Sequence, residues 1–291
     1  MKKYLFIFVT LSLSQSISDY TYTGAEVSSL AGAVVSKPGN SWSIFHNPAG
    51  IVEINDRIIS VSSGKLYGYN WLPYNNLSAT LPFSFGNISF GAQQIKTKHQ
   101  NSNLATEQTF SLAQGFYLQK DYNSQLAFGY TANITQWKLG KSAGITGDGE
   151  YGLDLGTSQT VTIDIGFLAS LRDKYRFGVL VKNINSDAIG EGMTRHVLPR
   201  RINVGATYMP IKDLITSLVM ERLLGRDELS MKGSIKYELN SYFTMNVGAQ
   251  SNPNRMGIGG TINYNRTSFS YGIITHPILS ITQQFTISMK L

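Results

Sequence analysis

The chain has 291 residues with a formal net charge of +7, and 42% of its residues are hydrophobic and 15% charged. The charged fraction is low against the roughly 25% of soluble globular proteins, and a mean hydropathy of −0.09 is too polar for a bundle of membrane helices. The absence of cysteine excludes disulfides, cysteine-bound metals and a lipid anchor on an N-terminal cysteine. Together with 16 Tyr, 14 Phe and 28 Gly, this composition favours a membrane β-barrel.

The N-terminus has the pattern of a signal peptide. Lys2 and Lys3 precede an apolar run, and Ser16 and Ser18 have the spacing of a cleavage site. The run is too short to span a bilayer as a helix, which requires about 20 residues. We therefore predict a signal peptide over residues 1–18, with a buried strand as the other interpretation. Loss of the two lysines changes the formal charge from +7 to +5, without any cluster of cations that would indicate nucleic-acid binding.

Residues 19–56 contain a compact apolar stretch, SIFHNPAG, before the first predicted strand. Its large apolar side chains require burial, and the lumen of a wide barrel is the lipid-free place nearest to the first strand. In this interpretation the asparagine caps a short helical turn that the proline begins, and the glycine then lets the chain enter the first strand. A disordered tail is the alternative. The predicted plug residues are Trp42, Ile44, Phe45, Asn47, Pro48 and Gly50.

From residue 57 onward the sequence alternates with a period of two. Leu229, Met231 and Ile235, for example, lie on one face of their stretch, and polar residues lie on the other. Because successive side chains of a strand point to opposite faces, this pattern predicts strands with one apolar and one polar face. About fourteen strands are predicted, near residues 57–63, 76–83, 86–96, 107–120, 123–137, 159–171, 174–183, 200–208, 213–222, 228–239, 242–250, 255–264, 266–274 and 281–291.

The lengths of the connections favour a barrel over a sandwich. Short connections alternate with longer ones, and the longest are predicted at residues 64–75, 97–106, 138–158 and 184–199. Bacterial outer-membrane barrels have an even number of strands, short periplasmic turns and longer outer loops. The last strand ends on Leu291 and must pair with the first, because an open sheet edge is costly in lipid. We therefore predict an all-β fold, a transmembrane antiparallel up-and-down β-barrel over residues 57–291, in the bacterial outer membrane.

Charged residues occupy positions of the strands that are expected to face the lumen. One interpretation is a set of salt bridges that braces the barrel, and the other is a basic conduit that selects anions or amphipathic carboxylates. The residues are Asp164, Arg176, Lys182, Arg201, Glu221, Lys232, Lys236, Glu238, Arg255, Arg266 and Lys290.

The motifs that could indicate an enzyme or a metal site are weak. Residues 140–144 match the G-x-S-x-G pattern of a nucleophile elbow, but they lie in a polar loop and not at a strand-to-helix turn. Asp148, Glu150 and Asp154 could bind Ca²⁺ through carboxylate oxygens, with a solvated loop as the alternative. We therefore predict no enzymatic activity, no cofactor and no metal.

Five segments between Ser29 and Leu291 carry a resemblance to a known family. They read, in order, SLAGAVVSKPGNSWSIFHNPAG, YGYNWLPYNNLSATLP, FGVLVKNINSD, LPRRINVGATY and FSYGIITHPILSITQQFTISMKL. This set resembles the PorV/PorQ family, which belongs to the superfamily of FadL-like outer-membrane barrels. The sequence departs from the family pattern at Gly39 and Asn40, where acidic residues are usual, and at the terminal residue, where an aromatic is commoner. The resemblance implies a barrel plugged from its periplasmic side by the segment that precedes the first strand.

The resemblance also implies a function in protein secretion, with transport as the alternative. In the first of these, the barrel is an accessory or shuttle component of type IX secretion and contacts secretion-system proteins or cargo. Its outer loops would then be the contact surface, with Asp148, Glu150 and Tyr151 as candidates. The alternative is a FadL-like transporter of hydrophobic or amphipathic small molecules, in which the plug gates passage. Outer-membrane lipid is an expected partner in both cases, and nucleic acid in neither.

Overall fold

The computed structural model describes residues 20–99, 102–142, 151–185, 187–190, 195–225 and 229–291, so the predicted signal peptide lies outside the described residues. The described residues contain two short α-helices, α1 (Ala25–Ser29) and α2 (Ser43–His46), and two 3-10 helices, Pro48–Glu53 and Leu66–Gly68. None of the described helices is long and apolar enough to cross a membrane.

Strands make up most of the described chain. All of them except β8 and β9 form one closed antiparallel barrel of 14 strands, in which neighbours along the chain are also neighbours in the sheet. This architecture confirms the predicted fold. The strands are β1 (Ile58–Lys65), β2 (Pro73–Leu81), β3 (Asn87–His99), β4 (Ser102–Lys120), β5 (Ser124–Leu139), β6 (Thr157–Leu171), β7 (Tyr175–Lys182), β8 (Ala188–Ile189), β9 (His196–Val197), β10 (Arg201–Ile211), β11 (Leu214–Leu223), β12 (Leu229–Glu238), β13 (Phe243–Gln250), β14 (Arg255–Tyr264), β15 (Thr267–Ile274) and β16 (Thr282–Lys290).

The first and last strands close the barrel and fix its orientation. Ile58 of β1 pairs with Lys290 of β16, so both strand termini lie at the same end. The turns at that end are short, as at residues 121–123, 172–174 and 212–213, whereas the opposite end carries the connections 140–156 and 183–200. Because bacterial barrels have short periplasmic turns and longer outer loops, the end with the termini is the periplasmic one.

Burial alternates along the strands as the sequence pattern requires. On β13, Phe243, Met245 and Val247 are exposed on the outer wall, and Thr244 and Asn246 are buried toward the lumen. The exposed apolar side chains face lipid in a membrane barrel, and the polar ones face the interior. The hydrophobic core therefore lies inside the barrel only where another segment of the chain supplies apolar side chains.

Several predicted strand boundaries are wrong. The connection predicted at residues 97–106 is mostly strand, because β3 continues to His99 and β4 begins at Ser102. This part of the sequence is polar on both faces, so the period of two disappears although the backbone pairing continues, as between Lys96 and Thr106. Strand β2 begins at Pro73, earlier than predicted, and proline is tolerated at the first position of a strand.

Candidate functional site

Residues 20–53 form a plug inside the barrel. Helix α1 contacts β13, β14, β15 and β16, and the 3-10 helix Pro48–Glu53 contacts β3, β4, β5 and β6. The plug is thus held on opposite sides of the lumen, and most of its residues are buried.

Lumen-facing glycines let the plug backbone approach the wall closely. Gly115, Gly129 and Gly166 are directly paired across β4, β5 and β6. A Cβ on Gly129 would lie 2.3 Å from the carbonyl carbon of Pro48, and one on Gly166 would lie 2.1 Å from Oδ1 of Asn47. Real Cβ atoms do not approach other atoms so closely. Glycine is therefore required at these positions while the plug occupies its place.

The same arrangement recurs on other strands of the barrel. A Cβ on Gly178 of β7 would lie 2.2 Å from the carbonyl oxygen of Val35. One on Gly248 of β13 would lie 2.2 Å from the carbonyl carbon of Leu30. These glycines and the three of β4–β6, here called the glycine ring, surround the plug, so the plug and the wall are built to fit each other.

Asn47 and Pro48 order the plug at its contact with β6. Asn47 Oδ1 accepts a hydrogen bond from the backbone N–H of Ala49 at 3.2 Å, and Pro48 begins the 3-10 helix. The amide nitrogen of Asn47 donates to the carbonyl oxygens of Val35 and Phe167, at 2.6 and 3.1 Å. Gly50 lies buried in the plug, but its predicted role in entry to the first strand is wrong, because the 3-10 helix continues through Gly50 to Glu53.

The apolar side chains of the plug form a small core within the lumen. Trp42, Ile44 and Phe45 are buried and cluster with Val27 and Ile51. The rings of Trp42 and Phe45 are stacked with their centroids 6.3 Å apart. Burying these large side chains supplies much of the hydrophobic stabilisation that a barrel with a polar inner face otherwise lacks.

Two carboxylates of the plug form ion pairs with the wall. Glu26 contacts Lys236 of β12 at 3.3 Å and also pairs with Lys37 of the plug, and Glu53 pairs with Arg176 of β7. Burial raises the pKa of the Glu26 carboxyl, but the ammonium groups of Lys236 and Lys37 outweigh this effect and hold the pKa below its usual range. Sequence reasoning missed both carboxylates, since their wall partners lie more than a hundred residues away along the chain.

Further lumen charges form a network on the wall itself. Glu221 accepts hydrogen bonds from Arg201 at 3.1 Å and from Lys232 at 2.9 Å, and all three side chains are buried. The ammonium group of Lys182 donates to the carbonyl oxygen of Phe45 at 3.1 Å. Asp164 is also buried, and it accepts hydrogen bonds from the side chain of Asn133 and the backbone of Asn183. The structure thus brings these predicted charges together into networks.

The remaining predicted charges have other surroundings. Arg255 is buried with its guanidinium 5.1 Å from the ring centre of Tyr22. Glu238 lies 3.8 Å from Lys236, and Lys290 forms an exposed ion pair with Asp56 at 2.9 Å. The prediction for Arg266 is wrong in its strand assignment, because residues 265–266 form the periplasmic turn between β14 and β15.

The predicted outer-loop contacts are largely outside the described residues. Tyr151 is exposed, whereas Asp148 and Glu150 belong to the part of the chain that the structure does not describe. The described residues contain no group of three or more His, Cys, Asp or Glu that could hold a metal ion.

Cavities lie inside the barrel on both sides of the plug. Lys182 borders two small polar cavities of about 40 and 20 Å³, which are large enough for water and too small for an organic solute. A polar cavity of about 510 Å³ opens beneath the plug, between Trp42 and the periplasmic ends of β12–β16.

An open apolar depression of about 720 Å³ lies on the outer wall over β7 and β10–β13 and is here called the wall groove. Ala206, Leu218, Gly233 and Ala249 are paired in one row across β10–β13, and three of the four are small. Larger lipid-facing residues border the groove beside this row. They include Val204, Met220 and Met231, which form the neighbouring row.

Comparison with known protein families assigns the chain to one of them. A family model described as "F plasmid transfer operon, TraF, protein" matches residues 67–254, which is more than half of the chain. The chain belongs to this family. The TraF match begins at Tyr67 and so covers barrel strands but not the plug. No curated protein matches the chain.

Solved structures share the fold of this TraF family member. The monoaromatic hydrocarbon channel CymD has a TM-score of 0.66 at 10% identity, covering 92% of this chain and 97% of its own. The Ralstonia pickettii toluene transporter TbuX has a TM-score of 0.63 at 11% identity, and the match covers 93% of this chain and 99% of TbuX. A Pseudomonas aeruginosa FadL homologue has a TM-score of 0.56 at 10% identity, and the match covers 91% of this chain and 97% of the homologue. The chain is therefore an outer-membrane β-barrel with a FadL-like fold.

Proposed function

We propose that this barrel is an outer-membrane conduit for small hydrophobic or amphipathic molecules. The observation that carries the proposal is the wall groove, an open apolar depression of about 720 Å³ in the lipid-facing wall. The solved structures that share the fold include a monoaromatic hydrocarbon channel and a toluene transporter, which supports the same substrate class.

The groove suits an apolar molecule because of the side chains that line it. Phe177, Val204, Leu218, Met220 and Met231 are all exposed on the wall around it. Because these side chains face the acyl chains of the bilayer, lipid competes for the groove, and its shape rather than transfer from water must favour an apolar solute there. An aromatic hydrocarbon that fits the groove would thus be held at the wall and would leave sideways into the bilayer.

The wall behind the groove is thin. Gly205, Lys232 and Gln250 belong to the lumen face of these strands, yet they also border the groove. Gly205 has no side chain, and a Cβ there would lie 2.6 Å from Cγ1 of Val35 in the plug. The groove and the plug therefore approach each other at Gly205, which makes the segment around Val35 the part of the plug that would control exchange between lumen and groove.

Filling the groove should weaken toluene binding about tenfold. Gly233→Leu places an isobutyl group in the row of small residues, and a Cβ at Gly233 meets only Cδ2 of Leu218, at 3.5 Å, so the barrel should still fold. We expect toluene to displace a bound fluorescent probe from the wild type and to do so about tenfold less effectively from Gly233→Leu, a loss of about 1.4 kcal/mol. Ala132→Leu, on the lipid-facing side of β5, is the matched control and should behave as wild type. Equal displacement from all three proteins would refute the groove as the site.

A second candidate is the interaction component of secretion that the PorV/PorQ-like motifs predict. The close fit of the plug to the glycine ring favours it, because a lumen filled in this way suits a rigid scaffold for outer loops. Replacing residues 140–156 by a short Gly/Ser turn should then leave the barrel folded and reduce recovery of secretion proteins or cargo in affinity purifications. A transporter should keep its toluene binding after the same change, and unchanged partner recovery would remove this candidate.

A further inference from the structure

The outward face of β3–β6 changes character abruptly toward the extracellular end. The continuous apolar band of the wall ends there at one row of paired residues, although Leu104 is exposed further along β4. The row consists of Ala92, Phe110, Ile134 and Val161. Phe110, Ile134 and Val161 are exposed and therefore available to lipid. This row marks the upper limit of the hydrocarbon layer on this side of the barrel.

The next two rows are polar and are also in register. The first consists of four glutamines, Gln94, Gln108, Gln136 and Gln159. The second consists of Lys96, Thr106, Lys138 and Thr157. From Phe110 to Thr106 the chain rises by roughly 14 Å along β4, at about 3.4 Å for each residue. The two rows therefore lie at the level of the headgroups of the outer leaflet.

The strands are long enough to present these rows above the apolar band. Strand β4 has 19 residues and β5 has 16, whereas about 9–11 residues suffice to cross the hydrocarbon layer. The strands on the opposite side of the barrel are shorter, with 8 residues in β13 and 8 in β15. The two polar rows therefore occur on only one side of the barrel, where the long strands β3–β6 are regularly paired.

The charge on this face is of one sign. Lys96 and Lys138 flank Thr106 on the two adjoining strands, at about 10 Å from each other for two strand spacings. The two acidic residues of β3–β6 point elsewhere: Asp164 is buried in the lumen, and Glu107 is paired with the lumen residue Ile95. Among the described residues no carboxylate forms an ion pair with either lysine. Both ammonium groups can therefore bind an anion from outside the protein.

We propose that this face binds the phosphorylated glycolipid of the outer leaflet. The ammonium groups of Lys96 and Lys138 bind its phosphates, as lysine binds phosphate elsewhere in proteins. The glutamine side chains each offer a donor and an acceptor to the sugar hydroxyls. The acyl chains then lie on Phe110, Ile134 and Val161 below. The vertical order of the three rows matches the order of phosphate, sugar and acyl chain in such a lipid.

The test uses the full-length barrel refolded in detergent, with phosphorylated lipid A and its dephosphorylated form as probes. Native mass spectrometry should detect lipid A on the wild type, and Lys96→Gln/Lys138→Gln should bind it about 10- to 30-fold more weakly, since each lysine near an anionic lipid surface contributes about 1 kcal/mol. The matched control is Lys174→Gln/Lys212→Gln, which removes two exposed lysines from periplasmic turns. It should bind lipid A as the wild type does.

Two measurements on the wild type keep the proposal testable if the double variant fails to fold. Binding of the phosphorylated form should weaken as salt is raised, because salt screens exposed charges. The dephosphorylated form should bind weakly at every salt concentration. Equal binding of the two forms, or equal loss of binding in the two double variants, would overturn the proposal. Toluene binding should be unchanged in both variants, so this result is independent of the proposed conduit.

Discussion

Replacing Glu221 by glutamine is expected to lower the free energy of unfolding of the barrel by about 3–5 kcal/mol, the usual cost of removing one member of a buried ion pair. The glutamine keeps the size of the side chain but leaves Arg201 and Lys232 without the carboxylate that both contact. The two cations would then repel each other in a poorly solvated part of the lumen. Urea unfolding in lipid vesicles, followed by tryptophan fluorescence, measures the change.

The matched control is Asp56→Asn, which removes the partner of Lys290 from an ion pair that is about half exposed on both sides. Exposed pairs contribute about 0–1 kcal/mol, so this variant should be nearly as stable as wild type. We propose on this basis that the lumen charges brace the barrel. If Glu221→Gln kept its stability and instead raised the conductance for anions, the lumen cations would form a conduit and the bracing interpretation would be wrong.

Substitution of Gly129 by alanine is expected to destabilise the barrel by about 3 kcal/mol, the upper part of the range for overpacking, or to expel the plug. The added Cβ would lie 2.3 Å from the carbonyl carbon of Pro48, and that atom belongs to backbone that cannot rotate away. The expected signs are a lower midpoint in urea and faster proteolysis within residues 20–53.

Gly233→Ala provides the comparison for Gly129→Ala, since the added methyl group points to lipid and meets only Leu218 at ordinary contact distance. It should change the midpoint little. Identical midpoints for Gly129→Ala and the wild type would mean that the plug does not occupy the lumen in the folded protein. That outcome would remove the basis for the glycine ring.

Periodicity predicted the barrel well wherever one face of a strand meets lipid. Strands β12, β13 and β14 have boundaries within a few residues of those predicted, because apolar and polar residues alternate through their whole length. The pattern failed between β3 and β4, where the strands extend beyond the apolar band and polar residues occupy both faces. The backbones of the two strands still pair there, but apolar and polar residues no longer alternate, so the sequence pattern does not predict the strands.

The plug was predicted because the apolar side chains of Trp42, Ile44 and Phe45 need burial. The ion pairs that attach the plug to the barrel wall were not predicted. Ion pairs such as Glu53 with Arg176 join residues far apart in the chain, and a single sequence gives no indication of such partners. The glycine ring did leave a signal. Gly115, Gly129 and Gly166 occupy polar-face positions of three successive strands, and glycine inside a strand often marks a place where another backbone approaches closely.

The central claim is that the wall of this barrel passes small hydrophobic molecules, and uptake of toluene into outer membrane-like vesicles tests it most directly. The vesicles should contain lipopolysaccharide in their outer leaflet and a hydrocarbon-binding dye inside. We expect the purified wild type to accelerate dye filling over empty vesicles and Gly233→Leu to return the rate to that of empty vesicles, with Ala132→Leu as fast as wild type. Equal rates for the wild type, Gly233→Leu and empty vesicles would contradict the claim.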